Sequence, residues 1–176
     1  MVGLELTQTK VFKDEAPPIV PKSAFGDLKY EVDTAINKVA SKVTFLPMFE
    51  MPGRAPDFLN LVEKNNVCLE NAFMDGQKRL FGFVRVLNIS YSKKVTVKWT
   101  LDSWETSKET DCEFVYGGSL DNTDQFSFTL TTGALPVGSQ VEFCIKFLCC
   151  EEYWDNNNGI NYIFQVCNII FASTQT

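Results

Sequence analysis

The residues with the most binding chemistry in this chain are crowded into residues 151–162, which read Glu-Glu-Tyr-Trp-Asp-Asn-Asn-Asn-Gly-Ile-Asn-Tyr. From Trp154 to Tyr162, nine residues hold four asparagines, one glycine and an aromatic ring at each end. An indole offers a flat apolar face, and a carboxamide both donates and accepts hydrogen bonds. A sugar ring, with C–H faces and rows of hydroxyls, has the matching chemistry. Asn158-Gly159 is also a two-residue hairpin signal, because both residues tolerate positive φ. A turn needs only that pair, so Trp154 and the other asparagines exceed what a turn requires. The plainer reading is an Asn-rich hairpin whose Trp packs on the core, since Asn is common in turns.

The elements that must position this stretch are mostly strands. It is flanked by apolar runs at residues 141–148 and 162–171. In the first, Val141, Phe143, Ile145 and Phe147 alternate with Glu142, Cys144 and Lys146, as in a strand with one buried face. Val95, Val97, Trp99 and Leu101 alternate with Thr96, Lys98, Thr100 and Asp102, which puts Trp99 in the core. Trp104 follows on a polar loop, residues 102–111, with no apolar neighbours to bury it. Phe126, Phe128 and Leu130 repeat the alternation. Further strands are predicted at 42–46, 67–73, 81–91 and 112–116, and one or two helical turns at 58–65 with Asp57 as the cap. Turns are predicted at Asp75-Gly76 and at 117–124 and 133–138, and Lys93 and Lys94 read as a solvated turn that blunts a sheet edge. Seven or so strands with one polar face each predict an all-β sandwich of about 100 residues.

Residues 1–40 begin extended, and Pro17, Pro18 and Pro21 then deny a regular element. Residues 27–40 have some helical character. This part is expected to order only partly, or only on binding. The expected division is 1–62 as an extended N-terminal segment, 63–172 as the sandwich and 173–176 as a tail.

Composition narrows the function classes. The formal charge is −6, which argues against nucleic acid, whose binding rests on Lys/Arg contacts to phosphate. Histidine is absent, which removes Ser-His-Asp triads, Cys-His pairs, His-ligated zinc and imidazole acid/base work. The six cysteines contain no CxxC, and Cys149-Cys150 are adjacent. Reduced, mostly buried thiols in a cytoplasmic protein are expected. Neither a signal peptide nor an 18-residue apolar run is evident, so nothing points to secretion or a membrane span. No cofactor, metal or catalytic residue is expected.

Three segments carry a family resemblance: residues 84–97 (Val-Arg-Val-Leu-Asn-Ile-Ser-Tyr-Ser-Lys-Lys-Val-Thr-Val), Leu101-Asp102-Ser103-Trp104, and 141–147 running on to 154–162. Together they resemble a carbohydrate-binding module of family 21. Residues 124–128 (Asp-Gln-Phe-Ser-Phe) and 67–71 (Val-Cys-Leu-Glu-Asn) are similar to the glycogen-targeting regulatory subunits of protein phosphatase 1, in particular the striated-muscle type. The resemblance covers about residues 66–168. It implies an immunoglobulin-like β-sandwich and a non-catalytic module that carries the phosphatase to glycogen and glycogen-bound substrates, glycogen synthase among them.

Carried over residue by residue, the resemblance implies carbohydrate contacts at Asn88, Trp104, Trp154, Asn156 and Asn161. Tyr91 falls at a second aromatic position of the fungal modules. Cys144 stands where those modules carry a site tyrosine, so part of the stacking surface is absent. Each residue has a plainer reading. Asn88 can bond backbone at a strand end, and Tyr91 can pack in a core or turn; Tyr162 reads as structural.

The family also carries an R/K-V-x-F docking segment for the phosphatase. Lys42-Val43-Thr44-Phe45 fits that pattern but reads as a structural strand. By the family's register the main docking segment lies ahead of Met1, and Leu4, Leu6 and Thr7 are expected as a weak secondary phosphatase contact. The rival classes are a calcium-dependent membrane-binding sandwich using Asp102, Asp111, Asp121, Asp124 and Asp155, a two-carboxylate glycoside hydrolase, and a starch-binding module of an amylolytic enzyme.

Overall fold

Alternation of apolar and polar residues builds most of the fold. The computed structural model describes residues 40–75 and 79–171. In chain order these form β1 (Ala40–Pro47), a 3-10 turn (Pro52–Arg54), helix α1 (Phe58–Asn65), β2 (Val67–Met74), β3 (Arg79–Leu87), β4 (Lys94–Thr100), β5 (Lys108–Asp111), β6 (Glu113–Phe114), β7 (Thr123–Thr131), β8 (Gln140–Leu148), β9 (Glu152–Asp155), a 3-10 turn (Asn157–Gly159) and β10 (Tyr162–Phe171). One sheet has the order β1-β10-β8-β4-β5 with β9 also on β8, and the other β2-β3-β7-β6. The all-β sandwich predicted from the alternation is the observed architecture.

The core lies between the sheets. Val95, Val97 and Trp99 of β4, the odd-numbered residues 141–147 of β8, and Tyr162 and Phe164 of β10 meet Leu80, Val84, Val86, Phe126, Phe128 and Leu130 of the other sheet. Burying each large apolar side chain stabilises by about 1.5–3 kcal/mol. Gly82 on β3 faces Phe128 of β7, and a Cβ there would lie 2.2 Å from the Phe128 ring. The absent side chain makes room for the phenyl group. On the opposite face of the same sheet, Arg85 is 5% exposed and its Nε and Nη2 donate to the Glu70 carboxylate at 3.0 and 3.1 Å. Glu70 also accepts from Gln125 at 2.8 Å, which ties β2, β3 and β7 together by side chains.

Several elements differ from the sequence expectation. β3 stops at Leu87, short of 91; the Asn88 N–H still donates to the carbonyl of Asn122, the residue opposite it, at 2.9 Å. The loop expected at 102–111 contains β5, which pairs with β4 from Thr96↔Asp111 to Trp99↔Lys108. Asp57 precedes α1 but makes no side-chain cap hydrogen bond. Lys93 is not solvated: its ammonium sits between Asp124, at 2.9 Å, and the Asn88 Oδ1, at 2.7 Å, whereas Lys94 is exposed. Lys42-Val43-Thr44-Phe45 lies in β1, with Phe45 packed against the core. Leu4, Leu6 and Thr7, the Gly76 half of the predicted turn, and the tail after 171 lie outside the described residues.

The largest difference concerns Asn158-Gly159. The strands on either side of it do not pair with each other. Both pair with β8: Asp155 opposes Ile145, and Tyr162 opposes Phe143. The two strands are one edge of β8 interrupted at Cys144 by an excursion, residues 156–161. The hairpin turn proper is at residues 149–151, between β8 and β9.

Candidate functional site

Parity along β8 decides what the outer face of the larger sheet presents. Since Val141, Phe143, Ile145 and Phe147 point into the core, Glu142, Cys144 and Lys146 point out. Trp154 on β9 opposes Lys146 in register and so shares that outer face; it is 43% exposed. Trp104 comes from the β4–β5 loop, and its indole Nε1 donates to the Glu142 carboxylate at 2.8 Å. Two indoles from separate elements therefore lie along one face of β8. Their anchor positions, Glu142 and Lys146, are four residues apart, about 13 Å in a strand.

Both rings are held by their N–H groups. Trp154 Nε1 donates to Glu152 Oε1 at 2.7 Å, and the Lys146 ammonium lies 5.6 Å from the Trp154 ring centroid. Glu152 and Trp154 are two apart on a strand and so share its face. A carboxylate on each indole edge fixes ring orientation and leaves ring surface exposed. Glu142 and Glu152 were not singled out from the sequence. The available signals were the polar position within the β8 alternation and the i, i+2 spacing to Trp154.

The loop that carries Trp104 is built around Asp102. Its carboxylate accepts from the Thr100 hydroxyl at 2.7 Å, the Thr106 N–H at 2.9 Å and the Thr106 hydroxyl at 2.6 Å. Those hydrogen bonds, Thr106 first, hold its carboxyl at about 2, against an ordinary 3.8. Ser103 and Trp104 both take positive φ, 55° and 70°, a conformation that costs a non-glycine residue about 1 kcal/mol or more. The Asp102 clamp and the Trp104 N–H bond to Thr100 Oγ1 at 3.2 Å keep the backbone there.

The asparagine excursion stands between the two anchor positions, opposite Cys144. Asn156 and Asn161 are its two feet, closed by an Asn161 N–H to Asn156 carbonyl bond of 2.8 Å. The Asn156 Oδ1 accepts from the Gly159 N–H at 3.0 Å, and Asn157 Nδ2 donates to the Asn161 carbonyl at 3.1 Å. Among the described residues, no hydrogen bond engages the Asn161 carboxamide. Part of the asparagine content is conformational: Asn157, Asn158 and Asn161 have φ of 52°, 58° and 60°, where Asn is favoured over most residues. Cys144, on the floor beneath, is buried, which pushes its thiol up to about 11.

Asp155 is the half-buried residue that holds this arrangement in place. Its Oδ2 accepts from the Leu69 N–H of β2 and from the Tyr162 hydroxyl, both at 2.7 Å, and its Oδ1 from the Asn157 N–H at 3.3 Å. It thus joins the two sheets at the β2 register shift and anchors the excursion's start. Burial raises its carboxyl above the usual range; the bonds from Tyr162, Leu69 and Asn157 oppose that rise.

Asn88 and Tyr91 belong to a different place. With Lys93, Phe114, Asp124 and Phe126 they line a concavity of about 450 Å³ beside edge strand β6. Tyr91 is fully exposed and not a core residue. The Asn88 Oδ1 is occupied by Lys93. The structure thus gathers Trp104, Trp154, Asn156 and Asn161 along β8 and sets Asn88 and Tyr91 apart, where Phe114 adds an exposed ring that sequence reasoning did not name.

The loop aspartates do not converge. Asp102 holds Thr100 and Thr106, Asp111 holds Lys94 and Thr96, Asp124 holds Lys93 and Ser119, and Asp155 is committed to the core. Among the described residues no three acidic or cysteine side chains form a group able to hold a metal ion.

Fold and surface together define a β-sandwich binding module. The chain belongs to the carbohydrate/starch-binding module family 21, whose model matches residues 61–165. It is 36% identical over 171 residues to the Glycogen-binding subunit 76A of Drosophila melanogaster, covering 94% of this chain and 25% of that protein. It is 33% identical to the Protein phosphatase 1 regulatory subunit 3C of Bos taurus, over 91% of this chain and 51% of that one. The chain therefore spans a quarter to a half of the length of these curated relatives. The solution structure of the carbohydrate-binding module of the muscle glycogen-targeting subunit of Protein Phosphatase-1 superposes with a TM-score of 0.60 at 32% identity, over 73% of this chain and 95% of that one.

Proposed function

We propose that this chain is a non-catalytic glycogen-binding module that tethers protein phosphatase 1 to glycogen. The observation that carries the reading is the pair of edge-fixed indoles, Trp104 and Trp154, on one outer face of β8 with Asn156 and Asn161 between their anchors. The indole faces stack on glucose rings while the carboxamides meet vicinal hydroxyls. Weak attachment to a polymer with many chain ends raises the local concentration of an attached phosphatase around glycogen-bound enzymes. The relatives' names, glycogen-binding and phosphatase regulatory subunits, support the same reading.

Finer assignments rest on the family resemblance. Asn88, which the resemblance groups with Trp104 and Trp154, instead forms a second sugar contact with Tyr91 beside β6, a reading supported by the concavity that the two share. Leu4, Leu6 and Thr7 touch the phosphatase, the excursion also engages glycogen synthase, and the working place is the glycogen particle in the cytoplasm. The striated-muscle type is supported by the name of the solution-structure neighbour, while the curated relatives of wider coverage carry other subunit names. Residues 63–172 are the sugar-binding unit.

Co-sedimentation with glycogen tests the site. Trp104→Ala and Trp154→Ala are each expected to weaken retention about tenfold, about 1.4 kcal/mol, with an unchanged circular dichroism spectrum. Unaltered pelleting of both variants would remove the site from β8.

A further inference from the structure

The hairpin turn between β8 and β9 carries two adjacent thiols, Cys149 and Cys150, whose sulfurs are 3.6 Å apart. The turn is closed by the Cys149 N–H donating to the Glu151 carbonyl at 3.0 Å, with the Cys149 Sγ 3.9 Å from the same oxygen. Cys150 is exposed and Cys149 half-buried. The other cysteines differ. Cys68 and Cys144 are buried, and burial pushes the thiols of Cys68, Cys112 and Cys144 up to about 12, 12 and 11; the hydrogen bond with Cys149 pushes the Cys150 thiol up as well, so what sets the pair apart is exposure and the closeness of the two sulfurs. Cys167 is half-buried on β10.

We infer that Cys149 and Cys150 form an oxidisable vicinal-dithiol site, which a peroxide closes to a disulfide and a trivalent arsenical bridges. The chemistry balances. The Cys150 sulfur attacks one peroxide oxygen; the O–O bond breaks, that oxygen stays on sulfur as a sulfenic acid, and the other leaves as water with the thiol proton. The Cys149 sulfur then attacks the Cys150 sulfur; the S–S bond forms, the S–O bond breaks, and the hydroxyl leaves as water with the second thiol proton. Two electrons pass from the sulfurs to the peroxide. The sulfurs are already close, so an exposed turn need yield only locally to reach a bond of about 2.05 Å.

The closed form is expected to reopen readily. Adjacent Cα atoms are about 3.8 Å apart, below the roughly 4.4–6.8 Å of ordinary disulfides, and a strained disulfide is easily reduced. The site also has a mechanical connection to the outer face. The turn leads directly into Glu152, which pairs with Leu148 and holds the Trp154 indole at 2.7 Å. Closing the ring repositions that glutamate and lowers glycogen retention, a consequence that rests on the reading under Proposed function.

The test uses the whole chain, reduced, treated with stoichiometric hydrogen peroxide, and returned with dithiothreitol. The expected result is an intrachain loss of two hydrogens in the proteolytic peptide holding both sulfurs, reversed by dithiothreitol and abolished in Cys149→Ser and Cys150→Ser. Phenylarsine oxide is expected to bind the wild-type chain in one equivalent at that peptide and neither serine variant. Glycogen retention is expected to fall several-fold on oxidation of the wild type and to stay level in Cys150→Ser. Persistence of two alkylatable thiols after peroxide, or a disulfide that forms only between chains, overturns the site. Closure with unaltered retention overturns its link to Trp154. A reduced chain that ignores glycogen while still losing two hydrogens overturns the tethering reading and leaves the dithiol site standing.

Discussion

Glu142 and Glu152 are glutamates whose work is to hold indole edges, and they show how a residue-scale contact shapes the surface. Removing either carboxylate leaves a ring free to rotate over an exposed face. Glu142→Ala is expected to weaken glycogen retention a few-fold, less than Trp104→Ala does, and to cost under about 1 kcal/mol of stability. Equilibrium pelleting and urea unfolding of the same preparation separate the two effects. Asp155 behaves in the opposite way. Its truncation leaves the Leu69 N–H and the Tyr162 hydroxyl without their partner inside the protein. Asp155→Ala is expected to destabilise by about 2–4 kcal/mol in urea unfolding, while loss of only a few tenths would show that water replaces the carboxylate. Asp155 looked like a loop carboxylate in the sequence. Nothing in Trp-Asp-Asn announces that its side chain reaches across to β2.

At the scale of elements, the β4–β5 loop is the unit that presents Trp104, and its order depends on charge. Asp102 titrates at about 2 in the folded chain against an ordinary 3.8, so as pH falls the unfolded chain takes up the proton first. Its stabilising contribution is present above about pH 4 and is lost as pH falls toward 2. Asp155 has the reverse sign. Burial raises its carboxyl, so the folded chain takes up the proton first and ionisation costs stability as pH rises through that raised value. Asp102→Asn is therefore expected to flatten the fall of melting temperature between about pH 4 and 2, measured by circular dichroism. An unaltered slope would mean that the loop clamp contributes nothing to folding. The strands were legible wherever apolar residues alternate, as in β4, β7 and β8. β5 was not, because Lys108-Glu109-Thr110-Asp111 has no apolar face and is held by its ladder to β4 and by polar side-chain bonds such as Trp99 to Thr110 and Thr96 to Asp111. Nor was the excursion. Asn158 and Gly159 do take positive φ, as a hairpin turn requires, but within a loop between two strands that both pair with β8.

The whole molecule carries a formal charge of −6, and its proposed ligand is an uncharged polymer. No condensed counterions are released on binding glycogen, so retention is expected to vary less than twofold between about 0.05 and 0.5 M salt. A steep loss with salt would instead signal an anionic partner. The two-sheet sandwich suits this role by rigidity. The indoles, on β9 and the β4–β5 loop, rest against a strand whose inner residues are locked into the core, so little order is lost on binding. The concavity at Asn88 and Tyr91 lies beside the edge of the other sheet, apart from the face that carries Trp104 and Trp154.

Alternation and composition determined a sandwich with Trp99 inside and Trp104 outside, and the absence of histidine removed imidazole-based catalysis and His-ligated metals, because these are properties of local pattern and residue type. Which rings share a face was decided only by the tertiary structure. That depends on strand register: Lys146 opposite Trp154, Glu142 beneath Trp104, and the asparagines displaced from the β8 edge between them. Register is set by long-range pairing and by a half-buried carboxylate that joins the sheets, and neither is written in the spacing of neighbouring residues.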